Sequence, residues 1–121
     1  MAESHNLGKK GEDLAVEHLK GLGYRILRRN WTSGRHEIDI IAENKDYIVF
    51  VEVKTRSEDF HVDPKDAVNR EKQRSMVYCA DNYVKWYSVT KECRFDVVTV
   101  IMSEDSHRID HIEDAFYPTL R

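Results

Sequence analysis

Four charged residues stand where apolar strands would not ordinarily hold them: Glu37, Asp39, Glu52 and Lys54. The run Glu37-Ile38-Asp39-Ile40-Ile41-Ala42 is followed by a short polar turn and then by Tyr47-Ile48-Val49-Phe50-Val51-Glu52-Val53-Lys54. Strand side chains alternate faces with a period of two, so Glu37 and Asp39 are expected on one face, and Glu52 and Lys54 likewise share one. If the two runs pair as a hairpin, three carboxylates and an ammonium converge on one spot. Carboxylate oxygens are the hard ligands that Mg²⁺ takes, and a lysine beside them can hold a phosphate or a water. That set suits metal-dependent phosphodiester hydrolysis. The competing reading, two amphipathic strands with polar outer faces, fits badly. Ile48 and Phe50 share the face of Glu52 and Lys54, and the opposite face carries Tyr47, Val49, Val51 and Val53. A strand apolar on both faces is central and buried, and charges confined to its end mark a site.

The elements that must position these residues follow from the flanking pattern. A first helix is expected from about Asn6 to Leu19, stopped by Gly21-Leu22-Gly23. Leu7, Gly11, Leu14, Ala15, Leu19 and Leu22 fall on one broad stripe at ~100° per residue, with Val16 at its edge. Glu12 projects within that apolar side, where a carboxylate costs desolvation unless it finds a cation, a donor or a metal. Tyr24–Trp31 reads as a first strand, Thr32-Ser33-Gly34 as a turn, and the second and third strands join near Glu43–Asp46. A polar loop is expected from Ser57 to Val62. Asp63-Pro64 has the form of an N-cap with proline at the first helical position, opening a second helix that reaches Val84 or beyond. Its stripe is Met76, Val77, Ala80, Tyr83, Val84 and Tyr87. Arg94–Ile101 is a fourth strand and Arg108–Phe116 a weaker fifth. The order α-β-β-β-α-β-β, in one domain over residues 1–121, predicts an α/β fold with a central mixed five-stranded sheet flanked by helices.

Composition narrows the function classes. No apolar run approaches the ~20 residues of a membrane span, so no membrane partner is expected. Residues 1–6 show no basic head leading into an apolar stretch, and Cys79 and Cys93 have neither paired nor metal-ligand spacing. A reduced, cytoplasmic protein is the expectation. The formal net charge of −3 argues mildly against nucleic acid, yet Lys20, Arg25, Arg28, Arg29 and Arg35 cluster, as a phosphate track or as an ordinary basic patch. The six histidines form no HxxxH or HExxH, and there is no Walker loop, GxGxxG or GxSxG.

The motifs Gly8-Lys9-Lys10-Gly11-Glu12, Asn30-Trp31, Glu37–Ala42, Phe50-Val51-Glu52-Val53-Lys54-Thr55-Arg56 and Arg94–Val98 resemble those of the YraN-like family of small bacterial proteins. That family in turn is similar to the PD-(D/E)xK, restriction-endonuclease-like nucleases and, in layout, to archaeal Holliday-junction resolvases. Glu12, Asp39, Glu52 and Lys54 match in order, while His36 stands where the family's GEID motif has glycine. The resemblance implies a DNA endonuclease, structure-specific or junction-resolving. Asp39 and Glu52, with the Val53 carbonyl, would ligate Mg²⁺ or Mn²⁺, Lys54 would orient water or stabilise phosphoryl charge, and Glu12 would complete the site. An ion pair with an arginine is the alternative for Glu12. Glu37 is either an outer-shell ligand or a solvated strand start. Arg28, Arg29 and Arg56 are candidates for backbone phosphates, although surface arginines need no such role; Lys72 and Gln73 either face the scissile phosphate or are ordinary helix residues whose stems snorkel. Asp96 reads as structural, paired with a neighbour. Tyr83, Trp86 and Tyr87 read as a core stripe with an exposed flank, base stacking being the alternative. A homodimer would suit a two-stranded substrate. The alternative function is a nucleic-acid-binding module of the same fold with little or no catalysis; a third is an interaction protein using the acidic C-terminal segment.

Overall fold

The β-branched and aromatic runs become strands and the two runs of helical period become helices in the computed structural model, which describes residues 2–58 and 68–117, with side chains from residue 7 onward. Helix α1 spans Ala2–Gly21, β1 Arg25–Ser33, β2 His36–Glu43, β3 Tyr47–Ser57, α2 Arg70–Tyr87, β4 Glu92–Met102 and β5 His107–Ile112. The strands make one sheet in the order β1-β2-β3-β4-β5. β3 and β4 run parallel, connected through α2, and the other neighbours are antiparallel. This is the mixed five-stranded α/β architecture expected from the pattern.

Several boundaries move. The first hairpin turns at Gly34-Arg35 rather than at Thr32–Gly34, because Ser33 still pairs with His36 and Gly34 supplies a positive φ of 61°. The Asp63-Pro64 start expected for the second helix lies outside the described residues. The helix that is described opens at Arg70, where the Asn69 side chain accepts from the Lys72 N–H at 2.8 Å and caps the first turn. β3 runs on to Ser57, into the expected loop, because parallel pairing with β4 continues to Ser57 opposite Met102. β5 stops at Ile112 rather than Phe116.

Each face of the sheet carries its own core. On one side Ile38, Ile41, Ile48, Phe50, Phe95 and Val97 pack with Met76, Cys79, Ala80 and Tyr83 of α2. On the other Ile40, Ala42, Val49, Val51, Val98 and Val100 pack with Ala15, Val16 and Leu19 of α1. Fully burying one such side chain is worth roughly 1.5–3 kcal/mol, so the two-sided apolar composition of β3 places it at the centre. The alternation of β2 is irregular at one point. Ile38 and Ile40, two residues apart, should share a face, yet they belong to opposite cores. The pleat is broken at Asp39. On the neighbouring strand, between the pairs Arg29–Ile40 and Trp31–Ile38, Asn30 adopts φ 53°, a left-handed conformation that asparagine tolerates better than most residues.

Helix α1 reaches the sheet most closely at Gly11. A Cβ there would stand 2.0 Å from Thr55 Oγ1 and 3.0 Å from Thr55 Cβ, so only glycine lets the helix lie against β3 at this height. The neighbouring Glu12 is placed by that approach. Gly11→Ala is expected to lose about 1–3 kcal/mol by overpacking, despite alanine's better helix propensity. Urea unfolding checks the loss, and Thr55→Ala in the same chain should restore part of it.

Candidate active site

The β2–β3 ladder ends at the pair Ile40–Val51. Beyond it β2 continues only beside β1, as far as His36 opposite Ser33, while β3 continues only beside β4. The sheet therefore forks. One more step of the same register would set Asp39 opposite Glu52; instead a cleft of about 380 Å³ opens, lined by Gly8, Glu12, Asp39, Val53, Lys54, Thr55 and Arg56. At the fork the Val53 N–H has no ladder partner, and Asp39 Oδ2 accepts from it at 2.8 Å.

Glu52, 4% exposed, lies between two ammonium groups. Lys54 Nζ is 3.3 Å from Oε2 and Lys72 Nζ is 3.4 Å from Oε1. Both contacts are ion pairs by distance, and among the described residues no donor makes a well-formed hydrogen bond to the buried Oε1. Burial and, after it, the charge of Glu52 push the Asp39 carboxyl up from its ordinary 3.8, the Val53 N–H and Lys72 hold it back, and the balance leaves it at about 7. Two like charges are thus kept close in a partly dry place.

The remaining candidates divide. Glu12 lines the cleft with Asp39, and its Oε1 accepts from Arg29 at 2.8 Å and from Asn30 Nδ2 at 3.1 Å, so the ion-pair alternative is realised at the cleft wall itself. Arg29 also holds Asp13 at 2.6 Å. Arg56 lines the cleft, and one of its guanidinium N–H groups donates to the Thr55 carbonyl. Arg28 is remote from these contacts; its guanidinium lies 5.1 Å from the ring centre of Tyr87, at the far end of α2. Gln73 donates to the Val68 carbonyl at 3.2 Å and ties down the helix start rather than entering the cleft. Glu37 is exposed, and the broken pleat removes the period-two reason for grouping it with Asp39; its charge is the least of the influences on that carboxyl. Among the described residues no group of three or more His, Cys, Asp or Glu side chains is placed to hold a metal.

Lys54 lines a second cleft as well, of about 330 Å³, with His36, Asn69, Glu71, Lys72 and Ser75. His36 Nδ1 lies 2.8 Å from Ser75 Oγ. The structural roles of His36, Ser75 and Asn30 carried no mark in the sequence beyond the Asn30-Trp31 motif and the replacement of glycine by His36. Tyr83 is buried as the stripe requires and Trp86 is exposed on its flank, but Tyr87, expected on the stripe, is exposed at the end of α2.

A family model described as "Uncharacterised protein family UPF0102" matches residues 11–100. The UPF0102 protein of Parabacteroides distasonis is 46% identical over 121 residues, the whole of both chains. The chain belongs to the UPF0102 family. It is the family expected, under the name YraN-like, from the motifs. The Bacteroides fragilis UPF0102 protein is 46% identical over 120 residues, 99% of each chain, and that of Flavobacterium psychrophilum is 45% identical over 117 residues, 97% of this chain and 98% of the other. The matched UPF0102 segment contains Glu12, Asp39, Glu52, Lys54 and Lys72.

The raised carboxyl has a thermodynamic consequence. Between about pH 4 and pH 7 the folded protein keeps a proton on Asp39 that the unfolded chain has lost, so stability falls as pH rises through that window and the loss is complete above it. Asp39→Asn cannot ionise and can still accept from the Val53 N–H. In EDTA it is expected to be more stable than the parent above the window, by roughly 1–4 kcal/mol, and equal to it near the bottom. Urea unfolding at both ends of the window measures the difference; equal stabilities above it would contradict the burial of this charge.

Proposed function

We propose that this protein is a metal-dependent phosphodiesterase that cuts DNA at the cleft where β2 and β3 part. The observation that carries the reading is the buried pair itself: Asp39 with its carboxyl raised to about 7 beside Glu52, whose buried Oε1 lacks a well-formed hydrogen bond among the described residues. Stability alone gives no reason to hold two carboxylates there. An all-oxygen donor set of two carboxylates, with the Val53 carbonyl as a further candidate, fits Mg²⁺ or Mn²⁺, because Mg²⁺ is commonly held by one or two carboxylates plus substrate phosphates. Bound there, the ion would supply Lewis-acid polarisation of the phosphoryl group and activation of a water. The chain's own residues do the rest. The Val53 N–H fixes the rotamer of Asp39. Lys54, at the mouth of both clefts, orients water or holds charge developing on the phosphoryl oxygens. Arg29 keeps the carboxylate of Glu12 against the cleft wall, and Arg56 gives the same wall a positive charge for the DNA backbone.

The order Glu12, Asp39, Glu52, Lys54, its resemblance to junction-resolving nucleases, and the small size of the chain favour a branched or flapped substrate in the cytoplasm, met by a symmetric dimer. A second reading, a DNA-binding module with little catalysis, is favoured by one observation: Lys54 and Lys72 already neutralise Glu52. The two readings separate on mutants. With Mn²⁺ and a panel of flaps, four-way junctions and single strands, Asp39→Ala and Glu52→Ala are expected to abolish cleavage without unfolding the chain. Lys54→Ala should lower turnover by about 10²–10³-fold and metal affinity far less. Undiminished cleavage by purified Asp39→Ala would sink the enzymatic reading, and binding of the panel without any cleavage would favour the module.

A further inference from the structure

Two ammonium groups on one buried carboxylate are one more than its charge requires. Lys54 and Lys72 stand 3.3 and 3.4 Å from the two oxygens of Glu52, and Asp39, when ionised, adds a second negative charge at the fork that lowers their mutual repulsion. In the metal-free protein this arrangement balances. Adding a divalent cation between Asp39 and Glu52 overfills it with positive charge, and at such distances in a partly buried site like charges repel strongly. One ammonium must yield. Lys54 rises from β3 in the middle of the sheet, and its side chain is the less exposed of the two, at 24% against 35% for Lys72. Lys72 sits in the first turn of α2, its backbone pinned by the Asn69 cap, and its side chain borders the second cleft of about 330 Å³. Lys54 lines that cleft as well, so its greater exposure is what marks Lys72 as the one to yield.

Resting on the metal-dependent reading above, we propose that Lys72 is an internal counter-ion. It holds the cation's place against Glu52 Oε1 in the metal-free protein; displaced by the metal, it turns into the second cleft and takes a backbone phosphate of the DNA. The surroundings suit that second position. His36 and Ser75, hydrogen-bonded at 2.8 Å, form one wall and supply polar groups, and the capped start of α2 forms another, where an anion is favoured. Glu71 lines the same cleft but is exposed, so water screens its repulsion of a phosphate. A lysine serves both stations because its charge is a compact point on a four-carbon stem, without the fixed fork of arginine. Loading of metal and grip on DNA are thereby coupled: the ion that activates the reaction also releases the cation that holds the substrate.

The proposal fixes opposite signs for two measurements on Lys72→Met. Calorimetric titration with Mn²⁺, at about pH 8.5 so that Asp39 is ionised in both proteins, should show tighter binding by the variant, by about 3–10-fold for the loss of one competing charge. Binding of a fluorescent four-way junction in Ca²⁺ should weaken, with the slope of log K against log salt reduced by about 1. Lys72→Arg should keep the salt slope. A merely structural ion pair would give unchanged or weaker Mn²⁺ binding in Lys72→Met and an unaltered salt slope, and either result overturns the proposal while leaving the metal site standing. Failure of the wild type to bind Mn²⁺, alone and with the junction present, overturns the metal-dependent reading and this proposal together.

Discussion

Pairing between β2 and β3 ends at Ile40 and Val51, and the rest of the site answers to that ending. A central strand whose neighbour leaves exposes a backbone N–H that must be satisfied. Here the Val53 N–H is taken by Asp39 Oδ2, a bond that becomes charge-assisted once the carboxyl ionises. The same bond fixes the carboxylate at the crotch of the fork. Glu52, on the adjoining strand, is positioned by the uninterrupted β3–β4 ladder, which holds β3 straight through Glu52, Val53 and Lys54. One strand is kept rigid by its parallel neighbour and the other is drawn aside by its antiparallel one, so the cleft has a fixed floor.

The two helices close this fork from opposite faces. α1 needs the missing side chain of Gly11 to approach Thr55, and that approach sets Glu12 against Arg29 and Asn30. Asn30 holds a left-handed backbone opposite the broken pleat of Asp39. Sparsely populated conformations of this kind cost of order 1–3 kcal/mol and persist where surrounding contacts over-determine them; the Glu12 hydrogen bond is one such contact. α2 brings Lys72 from the other side.

The fold was legible where apolar period decides it. β3 is apolar on both faces from Tyr47 to Val51, so its central position and the charges at its end could be read directly, and the α2 stripe at Met76, Ala80 and Tyr83 is buried as its spacing requires. Two things were not legible. Alternation assigned Glu37 to the face of Asp39, but the pleat break stands opposite Asn30, which holds a left-handed conformation on β1, and no pattern within β2 records that. The partner of Glu12 was equally hidden. Its misplaced position on an apolar stripe signalled that it had one, and only the packing of α1 over β1 selects Arg29. Helix starts obey the same logic, since Asn69 is one of many polar residues before α2 and only its geometry makes it the cap.

A second buried carboxylate in the same sheet shows by contrast what the fork means. Asp96 is 0% exposed, more deeply buried than Asp39. Burial works against its charge, but His111, Arg94 and the Asp114 N–H outweigh it and hold the carboxyl below its ordinary range. Arg94 grips both oxygens at 2.9 and 2.8 Å and stands against the Tyr24 hydroxyl. His111 Nε2 is 2.8 Å from Oδ2, and because an ionised carboxylate only accepts, that nitrogen carries the hydrogen, leaving Nδ1 to accept from His18 at 3.0 Å. Both oxygens of Asp96 are met, and the network ties α1 and the entry to β1 onto β4 and β5. The chain therefore contains what is needed to satisfy a buried carboxylate completely. At Asp39 and Glu52 it supplies less: one backbone donor, two lysines within reach, and a carboxyl raised to about 7. Since the sequence solves the problem at Asp96, the shortfall at the fork, which is one of well-formed hydrogen bonds rather than of positive charge, is a property of that site.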